Sequence, residues 1–319
     1  MMKAMPVCAV LGPGIMGSDI ALSLALGGAK VRVWGRREEA LPVAMERSSA
    51  GFDFLVAQGL ADAGDRDRVL ARISPEADMA GALDGAGFVI EAAAEDIAIK
   101  QELLKRAEVH APDDAVTSST TSALSATEIQ SALARPERFC IAHYAQPAHL
   151  VELVEIVPGA QTHDAATGHV TRLLEETGKV PVLCPDIPGF LWARIQHAVL
   201  REFSSLVGKG LVTPEACDTI LKVGYASRLP AMGSFEHADL AGLDLMNSPA
   251  ANAVWADLCN AAAPSETPVG QLYEDGRIGM KSGKGFYDWN SRSPDEFKKK
   301  RDEEIVRRVK INRGGKVVL

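Results

Sequence analysis

Short apolar runs alternate with longer helix-compatible stretches over the first part of the chain. The runs with strand character lie at residues 7–11, 31–34, 87–91, 115–118, 138–142, 151–157 and 180–183. Strands that alternate with helical segments favour right-handed crossovers and a mainly parallel sheet with both faces covered. The pattern therefore predicts an α/β, doubly wound domain.

The hydrophobic pattern changes after Phe190, where strand signals nearly vanish. Residues 191–207 and 214–223 have the spacing of helices, and two prolines with a glycine within residues 184–189 are typical of a linker. We expect a sheet domain over residues 1–185 and an all-helical domain over residues 186–319. The charged stretch 296–316 is expected to be a solvated helix with a frayed terminus.

Bulk properties narrow the function classes. The chain has 319 residues, enough for two cores, and its 47% hydrophobic and 24% charged positions are those of ordinary globular domains. A net charge of −8 argues against nucleic acid or an acidic membrane as the main partner. No stretch reaches the roughly 18 uninterrupted apolar residues of a membrane span. The five cysteines are scattered without a C-x-x-C pair, so we expect a reduced, cytoplasmic protein without a metal. Because the net charge disfavours nucleic acid and acidic membranes, we expect the partner to be a small molecule.

A glycine-rich turn follows the first predicted strand and precedes an apolar helix. Gly12 permits a tight turn, Gly14 lets the backbone approach a diphosphate, and Gly17 allows the helix to pack closely on the strand. The residues expected to bind a dinucleotide cofactor are Gly12, Gly14, Ile15, Met16 and Gly17. The alternative is a glycine-rich turn that binds no ligand.

The end of the second predicted strand bears on the choice between NAD and NADP. An acid that would bind the ribose 2′-hydroxyl is expected near position 35, but Gly35 occupies it and is followed by Arg36 and Arg37. Two guanidinium groups and no carboxylate favour the 2′-phosphate of NADP(H). The alternative is that both arginines are exposed turn residues and that NAD is held by other contacts.

One histidine stands out among seven because of its position. His143 ends an apolar strand, at the sheet edge where open parallel sheets bind ligands, whereas the histidines at 110, 149, 163 and 169 are expected at the surface. Glu155 lies within the next predicted strand, where burial is costly unless the carboxylate is paired. An imidazole held by this carboxylate could move a proton during hydride transfer. Taken alone, the pattern leaves a purely structural pair as an equal alternative.

Several motifs keep the mutual spacing of a known family. The family's S-N-T-S-S-L, H-F-F-N-P, L-V-E-V and D-x-P-G-F patterns correspond to residues 119–124, 143–147, 153–156 and 186–190. Its G-P-F-E-x-x-D-x-x-G-L-D and G-x-K-x-G-x-G-F-Y patterns correspond to residues 233–244 and 279–287. Over residues 6–289 the chain resembles the L-3-hydroxyacyl-CoA dehydrogenases and their relatives that act on free acids or ketones, including L-gulonate dehydrogenase (lambda-crystallin) and carnitine dehydrogenase.

The resemblance implies a Rossmann-like domain that binds NAD(P) and a helical domain that forms a homodimer. It implies that His143 is the acid and base, that Glu155 orients it, and that Ser122 contacts substrate and nicotinamide. Further cofactor contacts are implied at Glu95, Lys100, Gln146 and Lys281, with Gln146 also near the substrate.

The chain departs from the family at positions that concern the substrate. Ala193 replaces an asparagine that helps hold the substrate, and Gln146 replaces a second asparagine. The acyl-CoA enzymes carry a lysine-rich hairpin for the CoA phosphates, but residues 48–65 contain no Lys or Arg. A smaller substrate with its own carboxylate is therefore favoured, and Arg228 is a candidate for binding it, the alternative being a routine surface arginine.

These observations predict an oxidoreductase that interconverts a 3-hydroxy group and a ketone on a small hydroxy acid, with NADP(H) somewhat favoured over NAD(H). One alternative is a 3-hydroxyacyl-CoA dehydrogenase acting on a CoA thioester. Another is a non-catalytic dinucleotide-binding or structural protein of the crystallin kind.

Overall fold

The computed structural model describes residues 5–312, which fall into two compact units. The first unit contains residues up to 194 together with those from 299 onward, and the second contains residues 195–298. Each unit is described separately below.

The first unit is built on one eight-stranded sheet with the order β3-β2-β1-β4-β5-β6-β7-β8. The strands are β1 (Val7–Leu11), β2 (Lys30–Trp34), β3 (Ile73–Glu76), β4 (Ala86–Glu91), β5 (Val116–Ser119), β6 (Phe139–Tyr144), β7 (Leu153–Pro158) and β8 (Val180–Leu183). All neighbouring strands are parallel except β6 and β7. The predicted doubly wound α/β fold is confirmed, with β3 added as an edge strand.

Helices cover both faces of this sheet. They are α1 (Ile15–Leu26), α2 (Ala40–Ala57), α3 (Arg66–Leu70), α4 (Met79–Leu83), α5 (Ile97–His110), α6 (Ala126–Gln130) and α7 (Asp164–Glu176). Successive residues of β1 point to opposite faces, so Cys8 and Val10 join one apolar cluster while Ala9 and Leu11 join another. Burial on both faces explains why the central strands are continuous apolar runs.

The described part of the second unit contains helices and no strand longer than an isolated bridge. Its helices are most of α8 (Trp192–Gly208), then α9 (Pro214–Thr219), a π-helical turn (Ile220–Tyr225), α10 (Ala226–Arg228), α11 (Ser234–Ala241), α12 (Leu243–Met246), α13 (Pro249–Asp257), α14 (Pro268–Glu274) and the start of α15 (Pro294–Asn312). The predicted helical character is confirmed. Among described residues of this unit, Cys217 is the one deeply buried apolar side chain.

The C-terminal helix α15 differs from the predicted solvated helix. Val306 and Val309 are buried in the same apolar cluster as α1, and Ile305 packs against that cluster. These residues have the spacing of one helix face, which the surrounding Lys and Arg residues obscured in the sequence. The final turns of α15 therefore belong to the first unit, and the predicted frayed terminus lies outside the described residues.

No helix within residues 5–312 is long and apolar enough to cross a membrane.

Candidate active site

The glycine-rich turn joins β1 to α1 at the carboxyl edge of the sheet. Gly12 has a φ of 132°, and a Cβ there would lie 2.5 Å from the Ala92 oxygen. A Cβ on Gly17 would lie 1.8 Å from the Gly12 oxygen, so only glycine permits this approach. At Gly14, by contrast, a Cβ would meet nothing within 4 Å, so the backbone faces open space.

The N-terminus of α1 suits an anion. Helix α1 begins at Ile15, and the first helical backbone bond runs from Ser18 N–H to the Gly14 oxygen. The N–H groups of Ile15, Met16 and Gly17 therefore point out of the helix end and can donate to a diphosphate. The first turn carries no acid that would repel it. The predicted cofactor-binding turn fits a dinucleotide in shape and in hydrogen-bond donors.

The lack of an acid directly after β2 has a steric cause. Gly35 is buried, and a Cβ there would lie 2.7 Å from Pro13 Cγ, so the glycine turn itself excludes a side chain at this position. Arg36 and Arg37 follow and are exposed. The edge of the turn therefore presents two guanidinium groups without a ribose-binding acid.

His143 and Glu155 lie directly opposite each other on the antiparallel strands β6 and β7. His143 Nδ1 is 2.8 Å from Glu155 Oε2, and both residues are buried. Since an ionised carboxylate can only accept, Nδ1 carries the hydrogen and Nε2 is left as the acceptor. The ring packs edge-on against Phe190, with 5.7 Å between centroids.

The second oxygen of Glu155 is held by the segment that enters α8. Glu155 Oε1 accepts hydrogen bonds from the backbone N–H of Leu191 and Trp192, both at 2.9 Å, and from the Cys184 thiol at 3.4 Å. Burial alone would raise the pKa of Glu155, but the bonds from His143, Trp192 and Leu191 hold this pKa below its ordinary value. Glu155 is therefore an ionised, fixed partner for the imidazole.

Ser122 stands on the other side of the imidazole, after β5. Its Oγ lies 3.1 Å from His143 Nε2, and the residue is exposed. Glu95 fixes this turn by accepting from Ser122 N–H at 3.0 Å and from the Thr121 hydroxyl. Burial alone would raise the pKa of Glu95, but these bonds and the charge of Lys100 lower it.

Lys100 is buried among carboxylates. Its Nζ lies 3.0 Å from both oxygens of Glu91 and 3.3 Å from Glu95 Oε2. Glu91 also accepts from the Ser119 hydroxyl and the Ala93 N–H. Lys100 is therefore linked to the Ser122 turn through its ion pair with Glu95, and its predicted contact with the cofactor stays a prediction. Glu91 was not predicted, because its one signal in the sequence is an acid that ends an otherwise apolar strand.

The remaining predicted site residues are dispersed. Gln146 is exposed in the β6–β7 loop, in a cis peptide bond with Pro147. Arg228 and Lys281 lie in the second unit and are exposed, with Arg228 Nη1 3.2 Å from His237 Nε2. His149 was expected at the surface, but its side chain is 11% exposed, because it faces Asp19 of α1.

Within residues 5–312, no cluster of His, Cys, Asp or Glu could hold a metal ion. The arrangement instead combines a hydrogen-bonded imidazole, a hydroxyl and a dinucleotide-binding turn.

Two family models match the chain in succession. The 3-hydroxyacyl-CoA dehydrogenase NAD binding domain matches residues 7–187, and the 3-hydroxyacyl-CoA dehydrogenase C-terminal domain matches residues 189–289. Together they extend over both units described above.

Curated relatives and solved structures agree with this match. The chain is 29% identical over 310 residues to 5-formyl-3-hydroxy-2-methylpyridine 4-carboxylate 5-dehydrogenase of Mesorhizobium japonicum, covering 96% of each chain. A solved structure of such a 5-dehydrogenase, described as an NAD+ dependent dismutase, has a TM-score of 0.88, 28% identity, and coverage of 98% of this chain and 100% of that one.

A second kind of relative is much longer. The fatty acid oxidation complex subunit alpha of Pseudomonas paraeruginosa is 29% identical over 308 residues, which are 97% of this chain and 42% of that subunit. The chain therefore spans less than half of this relative. From the two family models, the chain belongs to the 3-hydroxyacyl-CoA dehydrogenase family and is a nicotinamide-dependent dehydrogenase that acts on a CH–OH group.

Proposed function

We propose that this dehydrogenase interconverts a hydroxyl and a carbonyl on a small carboxylate-bearing molecule, the 3-hydroxyl of a hydroxy acid being the model case. The observation that carries the proposal is the His143 ring, which is held through Nδ1 by Glu155 and has Nε2 beside the Ser122 hydroxyl. A hydroxyl bound by Ser122 would lie within reach of the same nitrogen.

In the oxidative direction His143 Nε2 removes the hydroxyl proton of the substrate, and in the reductive direction it returns that proton to the carbonyl oxygen. Glu155 stabilises the imidazolium that forms and fixes the ring orientation. Ser122 and Gln146 position the substrate oxygen. Hydride acceptance or donation is the chemistry that a bound nicotinamide supplies.

Three features support a free carboxylate over a CoA thioester. Residues 48–65 contain no cation, and the next one, Arg66, is already paired with Asp53 at 2.8 Å. One relative that matches 96% of each chain is named for a pyridine carboxylate. Arg228 is our candidate for binding the substrate carboxylate because its guanidinium is exposed and can form a bidentate pair. Lys281 remains a proposed cofactor contact.

Turnover on two substrate classes tests this proposal. Free 3-hydroxybutyrate and a hydroxymethyl or formyl pyridine carboxylate are compared with 3-hydroxybutyryl-CoA at saturating cofactor. We expect a higher kcat/KM for one of the free carboxylates. A higher value for the CoA thioester would favour 3-hydroxyacyl-CoA dehydrogenase activity, which the fatty acid oxidation relative suggests. Absence of turnover on all three, with cofactor still bound, would favour a non-catalytic dinucleotide-binding protein.

For the cofactor, we propose a preference for NADP(H) over NAD(H). Support comes from the exposed guanidinium groups of Arg36 and Arg37 and from the absence of an acid at Gly35. Thermal-shift titration compares NADPH with NADH, since a ligand that binds the native state raises its melting temperature. We expect the larger shift with NADPH, and replacing both arginines with Ala should abolish the difference. Equal shifts, or a larger shift with NADH, would contradict the preference.

We also propose that the second unit forms a homodimer. A unit of about one hundred residues needs a buried core to offset the entropy of folding. Here Phe235 is 91% exposed and Trp255 is 77% exposed. A second copy of this chain is the simplest occupant of such surfaces, because most soluble oligomers are symmetric homo-oligomers. Sedimentation velocity should give a mass of two chains.

A further inference from the structure

A second histidine and carboxylate face each other away from the proton-transfer pair. His149 lies in the loop between β6 and β7, and its Nδ1 is 3.2 Å from Oδ1 of Asp19, the fifth residue of α1. Their side chains are 11% and 9% exposed. Among the described residues, Nδ1 has no hydrogen-bond partner, so the contact is at ion-pair distance without hydrogen-bond alignment.

The loop that carries His149 is held firmly from the other side. Lys179 is buried and donates from Nζ to the carbonyl oxygens of Ala148 and of Val151, the latter at 2.8 Å. Gly51 of α2 lies beside the imidazole, since a Cβ there would be in ordinary van der Waals contact with two atoms of the ring at 3.9 Å. The imidazole is therefore set between α1 and α2 by its surroundings.

Asp19 is an unexpected residue in this helix. The N-terminus of α1 is the expected site of the cofactor diphosphate, and Asp19 lies five residues beyond Gly14, about 7 Å along the axis at 1.5 Å per residue. A buried carboxylate so close to a bound anion would repel it, because the interaction of two charges at about 10 Å is only weakly screened inside a protein.

We propose that His149 is a positioning residue for the cofactor: its imidazole lies against the buried Asp19 carboxylate of the diphosphate-binding helix and offsets the repulsion between that carboxylate and the cofactor. The same contact ties the loop that contains Gln146 to α1. The inference uses the dinucleotide-binding role of the turn and is independent of the substrate proposed above.

A double-mutant cycle tests this role through the Kd of NADH and NADPH, measured by cofactor fluorescence with no substrate present. We expect His149→Gln to weaken binding roughly tenfold, the effect of one uncompensated charge at this distance. Asp19→Asn should bind at least as tightly as the wild type. The double variant should return to within about threefold of the wild type, because it removes both the carboxylate and the imidazole that lies against it.

A contact between His149 and Asp19 that only stabilises the fold would give a different set of Kd values. If Asp19→Asn weakens cofactor binding as much as His149→Gln does, and the double variant is not rescued, the proposal is overturned. Asp19→Asn removes the buried carboxylate itself, so a clear loss of cofactor affinity in this variant alone overturns the proposal even if His149→Gln fails to fold. His110→Gln, at the exposed end of α5, is the matched control and should leave the Kd unchanged. For His149→Gln we expect a raised KM for cofactor with kcat unchanged, whereas a fall in kcat at saturating cofactor would contradict the proposal.

Discussion

The two units of the chain differ in how far their apolar and charged side chains are buried. In the first unit the apolar residues form clusters on both faces of the sheet, and its buried charges, such as Glu91 with Lys100, are paired. In the second unit large apolar residues such as Trp255 lie exposed, and so do the candidate ligands Arg228 and Lys281. The His143–Glu155 pair, which is our proposed proton-transfer group, therefore rests on contacts within one unit, whereas the helical unit leaves large apolar side chains exposed.

The largest effect on turnover is expected from replacing His143 in the first unit. His143→Ala should lower kcat by about 10³- to 10⁴-fold, because a positioned acid and base contributes at this scale. Cofactor affinity, measured by fluorescence, should stay near that of the wild type. His110→Ala, a change at an exposed histidine, is the matched control. A variant at position 143 that kept near-wild-type turnover would show that another group moves the proton.

The next largest effect is expected on the dissociation constant of the proposed dimer, from a change in the exposed apolar surface of the second unit. Trp255→Glu should weaken the dimer by about 10²- to 10³-fold, since buried aromatic anchors dominate interface energy and a charge cannot be buried in their place. Sedimentation equilibrium measures this dissociation constant. Val109→Glu places the same charge on a side chain of the first unit that is equally exposed, at 77%, and should leave the dimer intact. If both variants behave alike, the apolar surface of the second unit is not the interface.

Regular elements with strong local signals could be predicted from the sequence. The bounds of β1 and β8 agree with the apolar runs at 7–11 and 180–183, because glycine or proline closely follows each run. Strand β3 was missed because it has four residues, includes Pro75, and buries only Ile73 deeply. A proline in a short edge strand removes the pattern on which strand prediction depends.

Contacts between distant parts of the chain could not be predicted from periodicity. His143 and Glu155 were singled out by strand position and by family spacing, but only the antiparallel register places them opposite each other. His149 looked like a polar loop residue because its partner Asp19 is far away in the sequence. Side chains whose burial depends on tertiary partners, including Val306, have only a weak local signature, which the neighbouring charged residues obscure.

The hydrogen bonds around Glu155 predict a pH-dependent contribution to stability in the first unit. Its folded pKa is below the ordinary value of about 4.3, so the stabilisation is fully present above that pH and is lost as the pH falls through the folded pKa. Differential scanning calorimetry of Glu155→Gln should show the widest gap in Tm from the wild type above pH ~5, narrowing towards pH ~3. The same variant should lower kcat by about 10- to 100-fold, less than the loss of the base itself.

Glu38→Gln serves as the control for this pH series, because Glu38 is an exposed carboxylate of the same unit. Its gap in Tm should be small at every pH. A gap for Glu155→Gln that stayed constant between neutral pH and pH ~3 would mean that the carboxylate does not stabilise the fold through its charge.

The smallest effect is expected from the exposed ligands of the second unit. If Arg228 binds the substrate carboxylate, Arg228→Ala should raise KM for the free acid by about tenfold with kcat little changed, because a uniform binding contact is lost. Arg228→Lys keeps the charge but not the bidentate geometry, so its KM should lie between those of the wild type and Arg228→Ala. Arg201→Ala, at an exposed arginine of α8, is the matched control. Equal KM values for wild type and Arg228→Ala would remove Arg228 from the site and leave substrate recognition to the first unit, where the candidates Ser122 and Gln146 are exposed after β5 and β6.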